Sequence, residues 1–307
     1  MMKNQKRPWT QNQRFEFIEW KLFWEGHLNR KDLETQFDIS TPQASVDLKR
    51  YRELADGNIE YDGTEKSFVP SSKLVPNFLK PSADRLLLQL RALLSSALSR
   101  RDLWFRSLPA VDMVPDLVRH VDPECLRKVL QALRTRSAVD VEYQSLTNSR
   151  WRRIAPHALA FDGHRWHLRA WACDREDFRD FVLSRIDSIG ELHEVEYDPE
   201  DDVAWNRKVL LQLCPHPGLT PEQRLAIQRD YDMSEGQRDI ELRLSMAYYF
   251  IKRMNLDLPD LPAARVQLCI ANLAEVDAAI ERAKKDGAER IAMRLRSVTG
   301  QHPLGQP

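Results

Sequence analysis

Seven side chains in the middle of the sequence carry the groups that anion recognition needs: Tyr143, Ser145, Arg152, His157, His167, Arg169 and Arg185. Arginine pairs bidentately with phosphate, while tyrosine and histidine offer hydrogen bonds and rings on which a base can stack. Between Trp166 and Ala170, strand alternation puts Trp166, Leu168 and Ala170 on one face and His167 with Arg169 on the other. One face is core and one is chemistry. Tyr143 and Ser145 share a strand face in the same way, and Arg152, His157 and Arg185 come from neighbouring strands. The set is therefore expected to converge into a cationic, hydrogen-bonding surface for a phosphate or a stacked base. Taken singly, each of these residues also suits a structural role, and Pro156 with Trp166 reads as architecture.

A second constellation lies near the start of the chain. At about 100° per residue, a helix from Ser40 to Leu54 stacks Ala44, Leu48 and Tyr51 on one side and Gln43, Ser45, Val46, Lys49 and Arg50 on the other. The first side would pack on neighbouring helices. The second could read a DNA major groove: glutamine suits adenine, arginine suits guanine, and valine can meet a thymine methyl. Ser40 and Thr41 stand where free N–H groups favour a phosphate, and Thr64 with Lys66 is placed for backbone contact from a hairpin. A polar helix face by itself is commonly only solvated, so the surrounding pattern has to carry the reading.

That pattern is a helix from Gln11 to Trp24, ended by Gly26, and a short one after Asn29 with Leu33 and Phe37 on one face. The third opens at Ser40-Thr41-Pro42-Gln43, with capping-box spacing and proline in the first turn. Residues 58–61 and 66–69, joined by Asp62-Gly63, read as a hairpin. Two helices at a short turn, followed by a hairpin, have a known use in which the second helix enters the major groove. Pro70, Pro76 and Pro81 then mark a linker before an apolar helix from about Ala83 to Leu98, and another helix spans Pro123 to Arg134. Period-two alternation begins at Val139. Val141 and Tyr143 continue it, and later strands are expected over 152–161, 166–172 and 181–186. Beyond Pro217 and Pro221, helices from 222, around 246–254 and over 275–285 alternate with strands at 239–244 and 265–270, as in a small α+β domain. The boundaries expected are 1–80, 81–135, 136–204 and 205–307, in an α+β multidomain chain.

Other chemistry is scarce. Neither G-x-x-x-x-G-K-[ST] nor H-E-x-x-H occurs, and His164 and His167 fall on opposite faces of a strand. Asp198, Glu200, Asp201 and Asp202 beside Pro199 read as a solvated loop or a helix start. Cys125, Cys173, Cys214 and Cys269 form no C-x-x-C and read as reduced, packed thiols. No catalytic residue, cofactor or metal is expected. The 307 residues carry 46 Lys+Arg against 46 Asp+Glu, so any nucleic-acid surface must come from local placement and not from net charge. No apolar run reaches the roughly 18 residues of a membrane span, and the basic start, Met1 to Arg7, lacks an apolar segment after it. The expected location is the cytoplasm.

The stretches Arg152-Arg153-Ile154-Ala155-Pro156-His157-Ala158-Leu159, Asp162-Gly163-His164-Arg165-Trp166-His167-Leu168-Arg169-Ala170 and Phe181-Val182-Leu183-Ser184-Arg185-Ile186 resemble the WYL domain. The name-giving Trp-Tyr-Leu stands here as Trp166-His167-Leu168, a departure at its centre. With the N-terminal module and the α+β tail, the chain resembles WYL-domain transcriptional regulators of the BrxR/CapW type, found beside bacterial phage-defence systems. The resemblance implies a winged helix-turn-helix, a helical linker, an Sm-like β-barrel WYL domain and a WCX-like C-terminal dimerisation domain. It further implies a homodimeric repressor on an inverted-repeat operator in double-stranded DNA, released by a nucleotide or nucleic-acid fragment in the WYL domain. An activator of the same architecture and a nucleic-acid-processing accessory protein are the alternatives.

Overall fold

The computed structural model describes residues 10–299 apart from 116, 118 and 259; the basic start of the chain lies outside them. It divides into two units, one ending at Leu117 and one beginning at Val118.

In the first unit, α1 (Gln11–Trp20) starts from a reciprocal cap between Thr10 and Gln13, widens into a π turn over Lys21–Glu25, and ends at Gly26 with φ 74°. A left-handed backbone costs glycine little, which is why the helix stops there. Asn29 caps α2 (Arg30–Phe37), with Asp32 returning the bond. Ser40 caps α3 (Thr41–Leu54), its Oγ accepting the Gln43 N–H at 3.4 Å. The expected return bond is replaced: the Gln43 side chain turns to Asp47. Phe15, Ile18 and Leu22 of the first helix, Leu33 and Phe37 of the second, and Ala44, Leu48 and Tyr51 of the third are buried together. Each large apolar side chain so buried is worth roughly 1.5–3 kcal/mol.

Strands β1 (Ile59–Asp62) and β2 (Ser67–Pro70) pair antiparallel, and Leu28 adds a bridge to Phe68 through two backbone hydrogen bonds of 2.8 and 2.7 Å. The hairpin is thereby stitched to the segment before α2. Glu19, fully buried, accepts the Tyr51 hydroxyl and the N–H groups of Asn77, Phe78 and Leu79, fixing where the chain leaves this module. Helix α4 (Ala83–Leu94) stops short of the expected Leu98, because Ser96 takes a left-handed φ of 60°.

In the second unit, α5 (Pro123–Thr135) buries Cys125, Val129 and Ala132 against the sheet that follows. The segment expected as one linker therefore divides, its second helix packing with the sheet. The sheet comprises β3 (Ala138–Gln144), β4 (Ser149–Phe161), β5 (Trp166–Ala172), β6 (Asp177–Val182) and β7 (Ile186–His193), all antiparallel in the order β6-β5-β4-β3-β7. The strand expected over 181–186 is corrected. A 3-10 turn, Leu183–Arg185, separates β6 from β7, which lie on opposite edges of the sheet and so cannot be one strand. Among the described residues β6 and β7 do not pair, so the sheet is open and the barrel closure is not seen. A register shift between Pro156 and Ala158 leaves His157 as an extra residue in β4.

The chain continues through α6 (Val203–Asn206), β8 (Lys208–Pro215), α7 (Pro221–Asp230), β9 (Arg238–Arg243), α8 (Leu244–Arg253), α9 (Ala263–Val266), β10 (Leu268–Ile270) and α10 (Leu273–Thr299). Its sheet runs β10-β8-β9. Sequence reading missed β7 and β8, started the strand of β10 within the end of α9, and ended α10 too early. Among the described residues no helix is long and apolar enough to cross a membrane.

Candidate DNA interface and effector surface

Helix α3 presents the two sides that its periodicity predicts. Ala44, Leu48 and Tyr51 are buried, and Thr41, Val46, Lys49 and Arg50 are exposed. Asp47 departs from that simple division. It is fully buried, accepting Arg14 Nε at 2.6 Å and Gln11 Nε2 at 3.0 Å, so a carboxylate clamps α3 to α1. Burial pushes this carboxyl up, but the bonds from Arg14, Gln11 and Gln43 outweigh it and hold it below the usual range. Gln43 is therefore half-buried and engaged by Asp47, and is not simply held out toward a base edge. Ser45 Oγ donates to Thr41 O at 3.0 Å, and Arg50 makes an exposed pair with Glu53 at 3.0 Å that is weak and readily exchanged. Ser40, exposed, spends its hydroxyl on the cap.

Ser45, Lys49 and Leu48 line a cleft of about 650 Å³ with Arg30, Arg52, Glu53, Asp56 and Phe68. Arg30 and Arg52 are the cations that the sequence reading missed. Arg52 lies three residues after Lys49, a helical spacing that already signals a shared side; Arg30 is brought there by the packing of α2 on α3. On the hairpin, Asp62 Oδ1 accepts the N–H groups of Thr64 and Glu65 at 2.8 and 3.2 Å, and Lys66 has φ 51°. Both Thr64 and Lys66 point to solvent.

The second set of candidates does not converge. Tyr143 lies on the core face: its hydroxyl accepts the Val182 N–H at 3.1 Å, and its ring meets Phe181 edge-on at 5.1 Å. Ser145 Oγ accepts the N–H groups of Thr147 and Asn148 at 3.2 and 3.0 Å, closing the β3–β4 turn. Arg152 pairs with Val141 across the ladder and reaches Asp174 at 3.2 Å, beside Arg150, which reaches the same carboxylate at 2.9 Å. Arg152 Nε is buried without a hydrogen-bond partner among the described residues. Burial first, then Arg150 and Arg175, push the Arg152 guanidinium below its ordinary value, with Asp174 acting the other way. Arg185 ends the 3-10 turn, half-buried, next to Ile186, the strand partner of Tyr143.

His157, His167 and Arg169 lie on the opposite face, and the C-terminal elements close over it. Arg169 makes a bidentate pair with Asp202, 2.7 and 2.8 Å, and reaches Asp180 at 3.3 Å. His157 Nε2 stands 2.9 Å from the same Asp202, between the rings of Phe178 and Trp205. Tyr249 of α8 donates to Asp180 at 2.9 Å and stacks on His167, whose Nε2 is 2.8 Å from Asp162. Sheet polarity separates the two groups: alternate strand positions face opposite ways, so with Ile154 and Pro156 on the core face His157 falls on the C-terminal side. The acidic run is likewise consumed. Asp198 and Asp201 pair with Arg294 of α10, and Asp202 caps α6.

Sequence comparison agrees with this layout module by module. The family model of the BrxR transcriptional regulator winged helix-turn-helix domain matches residues 10–92, the WYL domain matches 124–190, and the BrxR transcriptional regulator C-terminal dimerization domain matches 208–276. The chain is 35% identical over 293 residues to the DNA-binding transcriptional repressor CapW of Stenotrophomonas maltophilia, covering 93% of this chain and 97% of that one. This chain belongs to the BrxR/CapW family. Repressors of the same name from Escherichia coli and Pseudomonas aeruginosa are 36% and 35% identical, covering 89% and 87% of this chain and 93% and 91% of theirs. The BrxR match runs into α4, and the WYL match begins at α5, where the packing of that helix on β3, β4 and β7 puts it.

Proposed function

We propose that this BrxR/CapW chain is a homodimeric, DNA-binding transcriptional repressor that occupies an inverted-repeat operator. The observation that carries the reading is the solvent-facing side of α3, where Val46, Lys49 and Arg50 project beside a cleft that also gathers Arg30 and Arg52. Val46 and Arg50 reach base edges; Lys49, Arg30 and Arg52 meet phosphates, with Thr64 and Lys66 on the neighbouring backbone. Ser40, Thr41, Gln43 and Ser45 set the helix start against the duplex. The name shared by the relatives and the match to a dimerization domain support repression by a two-fold protein. A two-fold protein reads half-sites about one helical turn, or a multiple, apart.

The effector of this reading is a nucleotide or nucleic-acid fragment at the WYL domain, and the promoter is that of a phage-defence operon in the cytoplasm of its host. Of the seven candidates, Arg152 and Arg185 with neighbouring Arg150 and Arg175 suit the anion. Tyr143 and Ser145 support that edge of the sheet, and His157, His167 and Arg169 transmit its state to the C-terminal domain. Release requires the effector to bind one dimer geometry more tightly than the other. The test is a titration of the duplex just upstream of this gene, at several salt concentrations, against a scrambled duplex. A saturable preference for the inverted repeat, with log Kd linear in log salt, is the expected result; equal binding to both duplexes refutes it.

A further inference from the structure

The C-terminal sheet holds a chemistry that neither the DNA interface nor the effector surface uses. Cys214 of β8 and Cys269 of β10 stand directly opposite each other in the ladder, with their sulfurs 2.9 Å apart and both thiols free. The flanking backbone bonds, His216 N–H to Gln267 O and Ala271 N–H to Gln212 O, make the cysteine pair a hydrogen-bonded position of the ladder. Such positions hold the Cα atoms about 5.5 Å apart, within the span a disulfide bridges. They also hold the Cβ atoms wider than a relaxed disulfide prefers, so a bond formed there is readily reduced again.

Access follows from the alternation of β8. Leu211, Leu213 and Pro215 are buried on one face, while Gln212 and Cys214 belong to the other, which stays half-buried. Beyond Leu213 the ladder from β8 to β9 has ended, so the strand carries Cys214 at a place where only β10 borders it. Burial first, then the Cys214 sulfur, push the Cys269 thiol up to about 12, with Arg224 acting the other way. The two sulfurs face each other, so whichever is oxidised first has the other in position to close the bond.

We propose that Cys214 and Cys269 are a redox modification site, closing to a reversible intrachain disulfide under a hydroperoxide oxidant. One thiolate of the pair attacks a peroxide oxygen, the O–O bond breaks, and that cysteine becomes a sulfenic acid as water or an alcohol leaves. The sulfur opposite it then attacks the sulfenic sulfur, the S–O bond breaks, and hydroxide departs with the second thiol's proton as water. Two thiols lose two electrons and two protons, and the peroxide gains them. The site lies inside the segment matched by the dimerization domain, so the bond would tie two strands of that sheet together.

The test uses the full reduced chain treated with hydrogen peroxide, denatured, alkylated with iodoacetamide and read by intact mass and peptide mapping. It needs no DNA, so its failure leaves the operator reading untouched, and failure of the operator reading leaves it untouched. Of the four cysteines, two are expected to take label after oxidation and all four after dithiothreitol, with the 214 and 269 peptides joined. The C125S/C173S variant should still close the bond, and C214S and C269S should each yield no joined peptide between the two strands. Full labelling after peroxide, a bond between chains or to Cys125 or Cys173, or Cys214 driven to sulfinic acid without a bond would each overturn the proposal.

Discussion

Replacing Asp202 by asparagine removes one charge from a buried, multiply hydrogen-bonded ion pair in the second unit and leaves its shape nearly intact. Asp202 is 2% exposed; it receives two hydrogen bonds from Arg169 and one from His157, and it caps α6. Burial pushes its carboxyl up, but the bonds from Arg169 and His157 prevail, and the group titrates at about 2 against 3.8 for an ordinary aspartate. By linkage that difference is worth about 2 kcal/mol to the folded chain. A folded-state value below the unfolded one means the contribution is complete above 3.8 and is lost as pH falls from there toward 2. The neutral amide also strands the Arg169 guanidinium with only Asp180, and breaking one side of a buried pair costs about 3–5 kcal/mol. We therefore expect D202N to lower unfolding free energy at pH 7 by about 2–4 kcal/mol. The assay is urea unfolding of the full chain, wild type and variant, from pH 7 down to pH 3. The gap should narrow below pH 4, because the wild type loses its advantage while asparagine does not titrate. A loss under about 0.5 kcal/mol, as for an ordinary surface change, or a gap that widens on acidification, refutes the reasoning. A double variant, R169M/D202L, should lose less than the two single changes added together, since no charge is then stranded.

Lys49→Ala is expected to weaken operator binding and to reduce the slope of log K against log salt by about 0.9, the release of one phosphate contact; an unchanged slope places Lys49 off the backbone. Arg52→Ala should behave the same way, and duplex binding at several salt concentrations checks both. Asp47→Asn removes the charge that clamps α3 to α1, so unfolding free energy should fall by about 2 kcal/mol or more and DNA affinity with it. A stable variant with intact affinity contradicts the clamp. Arg152→Gln should leave operator affinity unchanged and abolish release by a nucleotide effector; equal release from variant and wild type removes the effector surface.

The linear order of residues determined everything that depends on spacing along one element. Ser40, Pro42 and the Ala44, Leu48, Tyr51 row fixed where α3 starts and which side it buries, because caps and faces act over three or four residues. Gly26 and Asn29 marked their helix ends for the same reason. Alternation in 166–172 was also legible, and it separated Leu168 and Ala170 from His167 and Arg169, but Trp166, expected in the core with the first pair, lies exposed at the strand start. What lay beyond reach was the partner across the chain. Asp47 reads as an exposed polar position until Arg14 is packed onto it, and Gln43 turns with it. The seven effector candidates read as one set because their strands adjoin, but pleat polarity divides them between two faces. Strand β8 carries no strict alternation, so only its pairing with β9 and β10 reveals it, and only that register brings Cys214 to Cys269, 55 residues away. Local periodicity follows from backbone geometry within a turn or a pleat. Long-range partners follow from which apolar faces bury each other, and the tertiary structure alone decided those.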